Sequence, residues 1–370
     1  MKIVFEDSEL SKGIINVSLD GGFTFTDYEI SDVKETGILL DDSQDYEKIK
    51  IKGPANVLKN LDVLSSINTL YESNLLPEDI TGLVLKEFNG TFDKSLFQKY
   101  PNLTNVTIPE GVTSIGESAF YKCTSLTSIT IPEGLTDIDY GAFMDCSSLT
   151  SITIPESLTS IGSCAFSGCK NLTSINIPSS ATSIGYGAFN NCSSLTSIDL
   201  PESLTSISYI AFQGCTSLTS ITIPESLTSI GQGAFSDCSS LTSITIPDSV
   251  TSIRDSTFDG CTSLTSVTIP SSVTSIGSSA FSGCSKLTSI DLPESLTSIG
   301  DWAFNDCSSL TSIDLPESLT SIGDWAFYNC TSLKTINFKG TDDQWNAITK
   351  GLNWNKNCPS DMQIICNYQG

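Results

Sequence analysis

Ten phenylalanines, Phe120, Phe143, Phe166, Phe189, Phe212, Phe235, Phe258, Phe281, Phe304 and Phe327, recur at intervals of 23 residues. A cysteine follows each by three positions, from Cys123 to Cys330. A unit this short has too little interior to bury its own apolar side chains and does so only by stacking on copies of itself. The period therefore predicts a solenoid. It points to a long surface for holding other molecules rather than to a pocket for chemistry.

Residues 149–171 serve as a sample unit. Ile152 and Ile154 alternate with Ser151 and Thr153, the period-2 pattern of a strand with branched aliphatics inward and hydroxyls outward. Pro155 ends that strand, because proline donates no ladder hydrogen bond. Leu158 and Ile161 supply a second apolar pair, Gly162 is expected to permit a sharp bend, and Ala165-Phe166 tucks a ring into a helical or irregular turn. Successive strands should pair in parallel at about 4.8 Å, so ten coils would extend roughly 50 Å.

Three segments follow from where the period starts and stops. Residues 1–92 lack the repeat, hold roughly half of the lysines and carry the alternating run Lys48-Ile49-Lys50-Ile51-Lys52, which reads as a small β-rich capping or docking domain. Asp20-Gly21-Gly22 reads as a hairpin turn, and residues 56–64 as a short strand or helix. Phe97 to Leu103 leads into the array without a linker, and the solenoid spans 93–337. Residues 338–370 then depart from the repeat and read as a C-terminal cap, a helix plus a final strand. The predicted fold is a mainly β solenoid of about ten 23-residue coils with an α/β cap. Both ends need covering, because an open coil shows apolar side chains and unpaired backbone.

Composition removes several function classes. A formal charge of -24 opposes contact with polyanions, so direct nucleic-acid binding is not expected. The chain has no histidine, which removes Ser-His and Cys-His nucleophile arrangements and the commonest zinc ligand. No Gly-rich phosphate loop or metal motif stands out, so neither catalysis nor a cofactor is expected. The apolar start at Ile3-Val4-Phe5 is too short for a secretory signal, and no apolar run reaches the length of a membrane-spanning helix.

The unit Leu-Thr-Ser-Ile-Thr-Ile-Pro-Glu-Ser-Leu-Thr-Ser-Ile-Gly-x-x-Ala-Phe-x-x-Cys-x-Ser, at residues 149–171 and again at 218–240, closely resembles the BspA-like class of leucine-rich repeats. Phe338-Lys339-Gly340-Thr341, with Gln344-Trp345 and Trp354-Asn355-Lys356, is similar to the closing segment that often follows such arrays. The resemblance implies a curved solenoid used in adhesion or ligand recognition at bacterial or protist surfaces. Such proteins commonly carry an export signal or wall anchor. Neither is seen here, so virion display or a cytoplasmic location stands beside cell-surface display, with residues 1–92 as the segment that meets a docking partner.

The stacked cysteines have two readings, a column able to pair or to hold soft metals and a column of buried structural thiols; uniform stacking with parallel Cβ vectors favours the second. Cys164, Cys358 and Cys366 lie outside the column, and a bridge between the last two within the cap is open to them. Glu110, Glu133, Glu156, Glu202, Glu225, Asp248, Glu294 and Glu317 form a carboxylate column that reads as a solvated edge rather than a calcium cage. Positions that vary between units say most about recognition. Tyr140, Tyr186, Tyr209, Trp302 and Trp325 precede the Ala-Phe pair, and Asp199, Asp291 and Asp314 replace threonine on the main strand. These eight residues are the candidate ligand-binding set, with a protein or carbohydrate ligand expected. Ranks of hydroxyls such as Ser220/Thr222 and Ser243/Thr245 suggest a second class of function, a structural or ice-binding-like templating surface.

Overall fold

The computed structural model describes residues 97, 98 and 100–368, together with the backbone of eight strands between residues 2 and 92. The Asp20-Gly21-Gly22 turn lies outside the described residues. The chain divides into two compact units, Met1–Leu158 and Thr159–Gly370. Each contains parallel β-coils at 23-residue spacing, with almost no helix.

In the first unit Ile14–Ser18 pairs antiparallel with Thr26–Glu29 and with Lys50–Lys52. Strand Lys2–Phe5 pairs antiparallel with Ile38–Leu39 and with Asn60–Leu64. From Asn60–Leu64 onward the pairing is parallel, through Gly82–Leu85 and Asn105–Thr107 to Ser128–Thr130. Its register places Leu61 beside Leu83, Leu83 beside Val106, and Val106 beside Ile129. Parallel pairing thus begins ahead of the first repeated phenylalanine. The phenylalanine column also starts earlier than the ten: Phe97 stacks on Phe120 at 4.4 Å between ring centroids, and Phe120 on Phe143 at 5.2 Å.

The second unit repeats one coil with little variation. Short strands such as Ser183–Ile184, Ser206–Ile207 and Ser229–Ile230 pair in parallel, serine on serine and isoleucine on isoleucine. The isoleucines are buried and the serines face out, which is why the pattern holds one register. Phenylalanines from Phe166 to Phe327 are fully buried and stack nearly parallel, 5.4 Å apart for Phe189 and Phe212. Each such side chain contributes roughly 2–3 kcal/mol by leaving water. The turns are bonded as well as the strands: Phe189 N–H donates to Ala211 O at 2.8 Å, and Phe304 N–H to Ala326 O at 2.7 Å.

Side-chain columns close the remaining backbone groups. Buried cysteines donate to the carbonyl of the phenylalanine 26 residues earlier, Cys215 Sγ to Phe189 O at 3.2 Å and Cys261 Sγ to Phe235 O at 3.1 Å. Serine hydroxyls after the proline corner do likewise, Ser226 to Leu204 O at 2.8 Å and Ser272 to Val250 O at 2.6 Å. Thr219 and Thr242 donate to the threonine carbonyl one coil back, at 3.4 and 3.2 Å. The glycine before the turn has a reason other than a bend. Gly300 has no left-handed backbone; a Cβ there would come within 2.6 Å of the backbone of Gly277 and Ser278. Close approach of successive coils, not torsional freedom, demands glycine.

The end of the second unit is a coil in disguise. Strand Thr335–Phe338 pairs with Ser312–Leu315 at the usual 23-residue offset, whereas Thr349–Lys350 pairs with Ser321–Ile322 at an offset of 28. The extra residues fall in the corner and hold helix Asp342–Ala347. Thr341 and Gln344 form a reciprocal capping box at its start, which explains why a helix forms there. Gln363–Ile365 completes the coil by pairing with Thr335–Phe338. The expected helix and final strand are therefore present.

Candidate functional site

Two backbone columns set the positions of the aromatic residues. In every coil the residue two before the phenylalanine and the residue two after it have positive φ. The second column holds residues that tolerate this, such as Gly168, Asn191, Gly214, Asp237, Asp306 and Asn329. The first holds Gly141, Gly187 and Gly233 in some coils, but Ile210 at φ 47°, Trp302 at 60° and Trp325 at 59° in others. A bulky side chain in the left-handed region costs about 1–2 kcal/mol.

The five aromatic candidates fall into two columns rather than one. Tyr140, Tyr186 and Tyr209 stand three residues before their phenylalanines, and Trp302 and Trp325 stand two before. Tyr140, in the first unit, is 48% exposed. In the second unit Tyr186 and Tyr209 stack at 5.3 Å, and both are exposed. Trp302 and Trp325 stack at 5.1 Å, nearly parallel. Trp302 is 38% exposed, and Trp325 is half-buried.

Two further residues join the tryptophans. Tyr328 meets both indoles edge-on, 6.0 Å from Trp302 and 5.0 Å from Trp325. Lys356 sets its ammonium 5.2 Å from the centre of Trp325. In sequence, Tyr328 was signalled by standing where other coils of this unit carry Ser167, Gln213 or Asn305. Lys356 carried no such signal, because the 28-residue offset hides its equivalence to Tyr328. Asp301 and Asp324, beside the tryptophans, are bonded to backbone: Asp301 Oδ1 accepts from Asp324 N–H at 2.7 Å, and Asp324 Oδ1 from Leu352 N–H at 2.6 Å.

The strand aspartates form a separate set. Asp199 bridges Asn176 and Thr222 in the parallel ladder and is exposed. Asp291 lines a groove with Ile269, Ser271, Pro293 and Glu294. Asp314 accepts a hydrogen bond from Asn337 Nδ2 at 2.7 Å. These three lie on the main strand of their coils, whereas the aromatics lie beyond the second strand, at the turn. The structure does not gather all eight candidates at one point.

The carboxylate column after the proline is exposed throughout, and Glu294 is ion-paired with Lys339. Among the described residues no group of three or more cysteine or acidic side chains is placed to hold a metal ion. All thirteen cysteines are free thiols. Cys358 and Cys366 are not bridged; Cys358 takes the next place in the cysteine column and donates to Phe327 O at 3.2 Å. Burial pushes the Cys123 and Cys192 thiols up to about 12, so these two stay protonated at neutral pH, whereas the hydrogen bond with Cys330 lowers the Cys358 thiol. Among the described residues no helix is long and apolar enough to cross a membrane.

With this geometry in hand, comparison with known proteins places the chain. The BspA type leucine rich repeat region matches in six copies over residues 55–149, 90–185, 136–264 and 251–350. The chain belongs to that family, whose members are generally used for protein binding or adhesion. Solved structures similar to it include the T. pallidum leucine rich repeat protein, at 31% identity over 53% of this chain and 84% of that one, with a TM-score of 0.40. A leucine-rich repeat protein from Bacteroides ovatus is 25% identical over 88% and 97% of the two chains, with a TM-score of 0.43. One from Eubacterium ventriosum is 21% identical over 86% and 94%, with a TM-score of 0.52, a likeness of fold. No curated protein matches.

Proposed function

We propose that this protein is a non-enzymatic binding or adhesion module that recognises a protein or glycan through its aromatic edge and patterned strand face. The observation that carries this reading is the left-handed backbone of Trp302 and Trp325. Glycine fills the same place in other coils at no steric cost, so a large ring held there against strain, exposed at Trp302 and half-buried at Trp325, is explained by what it meets outside the fold. Regular repetition adds avidity, since several weak contacts along one partner sum. Family membership supports a binding role. Residues 1–92, of which 1–54 lie ahead of the family match, serve in this reading as the attachment segment for a larger assembly, and their deletion should abolish attachment while leaving the array folded.

A templating surface is the weaker alternative. Ser243 and Thr245 do align with Ser266 and Thr268, but Asp199, Asp291 and Asp314 break the hydroxyl ranks, and a thermal hysteresis assay should read zero. The test of the main reading is an array of purified proteins and glycans probed with the full chain and with a variant carrying Tyr140→Ser, Tyr186→Ser, Tyr209→Ser, Trp302→Gly and Trp325→Gly. Saturable binding that the variant loses is expected. Absence of any saturable ligand, or a variant that binds as well as the parent, overturns it.

A further inference from the structure

The two ends of the tryptophan stack differ, and the difference bears on ligand chemistry. Trp325 has its outer side occupied by the ammonium of Lys356. Trp302 has its outer side toward the preceding coil, where the matching left-handed position is Ser279. That coil is built of small residues here, Ser278, Ser279, Ser282 and Gly283. Serine and glycine side chains are too short to cover an indole face, which gives the gap over Ser279 beside Trp302, itself 38% exposed.

The far wall of the gap is acidic. One coil further back stand Asp255 and Asp259, in line with Ser278 and Ser282. Asp255 Oδ1 accepts from Ser278 N–H at 2.8 Å, Ser282 hydrogen-bonds Asp259, and Asn305 Nδ2 donates to Ser282 Oγ at 3.3 Å. A group lying on Trp302 above Ser279 would therefore sit about 5 Å, one coil step, from these carboxylates. Arg254, the one arginine of the chain, neighbours Asp255 in sequence and is exposed; Asp259 has no basic residue beside it in sequence.

Resting on the binding role proposed above, we infer that the free face of Trp302 and the gap over Ser279 take a guanidinium or ammonium group from a basic segment of a protein partner. Indole faces attract cations, and a guanidinium both stacks on the ring and reaches a carboxylate. Lys356 makes the equivalent contact on the other indole of the same stack. The charge of -24 draws a basic segment in from a distance and repels anionic competitors.

The test titrates the full chain with the peptide acetyl-Gly-Arg-Gly-Arg-Gly-amide and with its citrulline counterpart, which keeps the shape and loses the charge. A neutral trisaccharide, cellotriose, is the third probe. The arginine peptide is expected to bind with an affinity that falls several-fold as salt rises, and Trp302→Gly and Asp259→Asn are each expected to weaken it about fivefold to tenfold. Trp302→Gly places glycine where Gly187 and Gly233 already stand, and its melting curve reports its fold. Equal binding of the citrulline peptide, or arginine-peptide binding that neither variant changes, overturns the inference. Cellotriose binding that depends on Trp302, with no arginine binding, also overturns it while leaving the recognition surface standing. If neither probe senses Trp302, this inference fails, and the array experiment above decides the wider reading separately.

Discussion

The indole of Trp354 meets the ring of Phe327 edge-on, at 6.2 Å between centroids and 83° between planes, whereas Phe304 lies on the other face of Phe327 at 5.3 Å and 6°. Trp354 occupies the place of Ala326 in the terminal coil; Asn355 stands where the next phenylalanine would. The phenylalanine column thus ends against an aromatic edge, and Trp345 of the helix packs on Trp354 in turn at 6.1 Å.

Replacing that ring should uncover the column. Trp354→Ala is expected to cost about 2–3 kcal/mol, less than a fully buried tryptophan because the residue is half-buried, and to cause concentration-dependent association. Thermal melts and light scattering at several protein concentrations check this. An unchanged melting temperature with no self-association would refute a capping role.

Thiol chemistry should separate the cysteines into two groups. The ten repeat cysteines, Cys123 to Cys330, are buried, and Cys192 has its pKa pushed up to about 12, leaving on the order of one part in 10⁴ as thiolate at pH 8. Cys164, Cys358 and Cys366 are partly exposed. Iodoacetamide followed by mass spectrometry should label those three first, with the column labelled only after denaturation.

Neighbouring aromatics in one turn should respond very unequally to truncation. Phe304→Ala empties a fully buried site and is expected to cost about 3–5 kcal/mol. Trp302→Gly gives up one exposed stack but relieves a left-handed backbone, so stability should change by less than about 1 kcal/mol. Denaturant melts of both variants test the pair.

Burial holds the Asp259 carboxyl above its usual range, partly opposed by its hydrogen bond with Ser282. The folded chain therefore binds that proton more tightly than the unfolded chain, and ionising the group at neutral pH costs stability. Asp259→Asn should melt higher than the parent at pH 7. The gap should close as pH falls below about 4, where the unfolded carboxyl is protonated too.

Much of this architecture is legible in the residues alone. Phe, Cys and the alternating Ser-Ile pairs declare coil, column and inward face, because each is repeated at one position and packing leaves no alternative. The ends are harder to read. Strands Asn60–Leu64 and Gly82–Leu85 join the parallel register without the repeated Phe and Cys, so periodicity is silent about them. The last coil is masked by five inserted residues, which moves Cys358 to 28 positions after Cys330. At the site, Trp302 and Trp325 stand out by type, but their left-handed backbone does not, since Ser, Cys, Ile and Trp share that column and none of them announces positive φ. Tyr328 and Lys356 join the cluster through stacking between coils, which spacing alone does not encode.

The threonine ladder carries one more implication. Thr242 bonds back to Thr219 as Thr219 bonds back to Thr196, so each turn offers its successor the same acceptors it was itself offered. Excising one whole turn would bring equivalent donors and acceptors face to face, and inserting one would do the same. Gene duplication and loss can therefore lengthen or shorten this molecule in whole-turn steps with no new interface to invent, and the reach of its binding edge becomes a heritable variable in its own right.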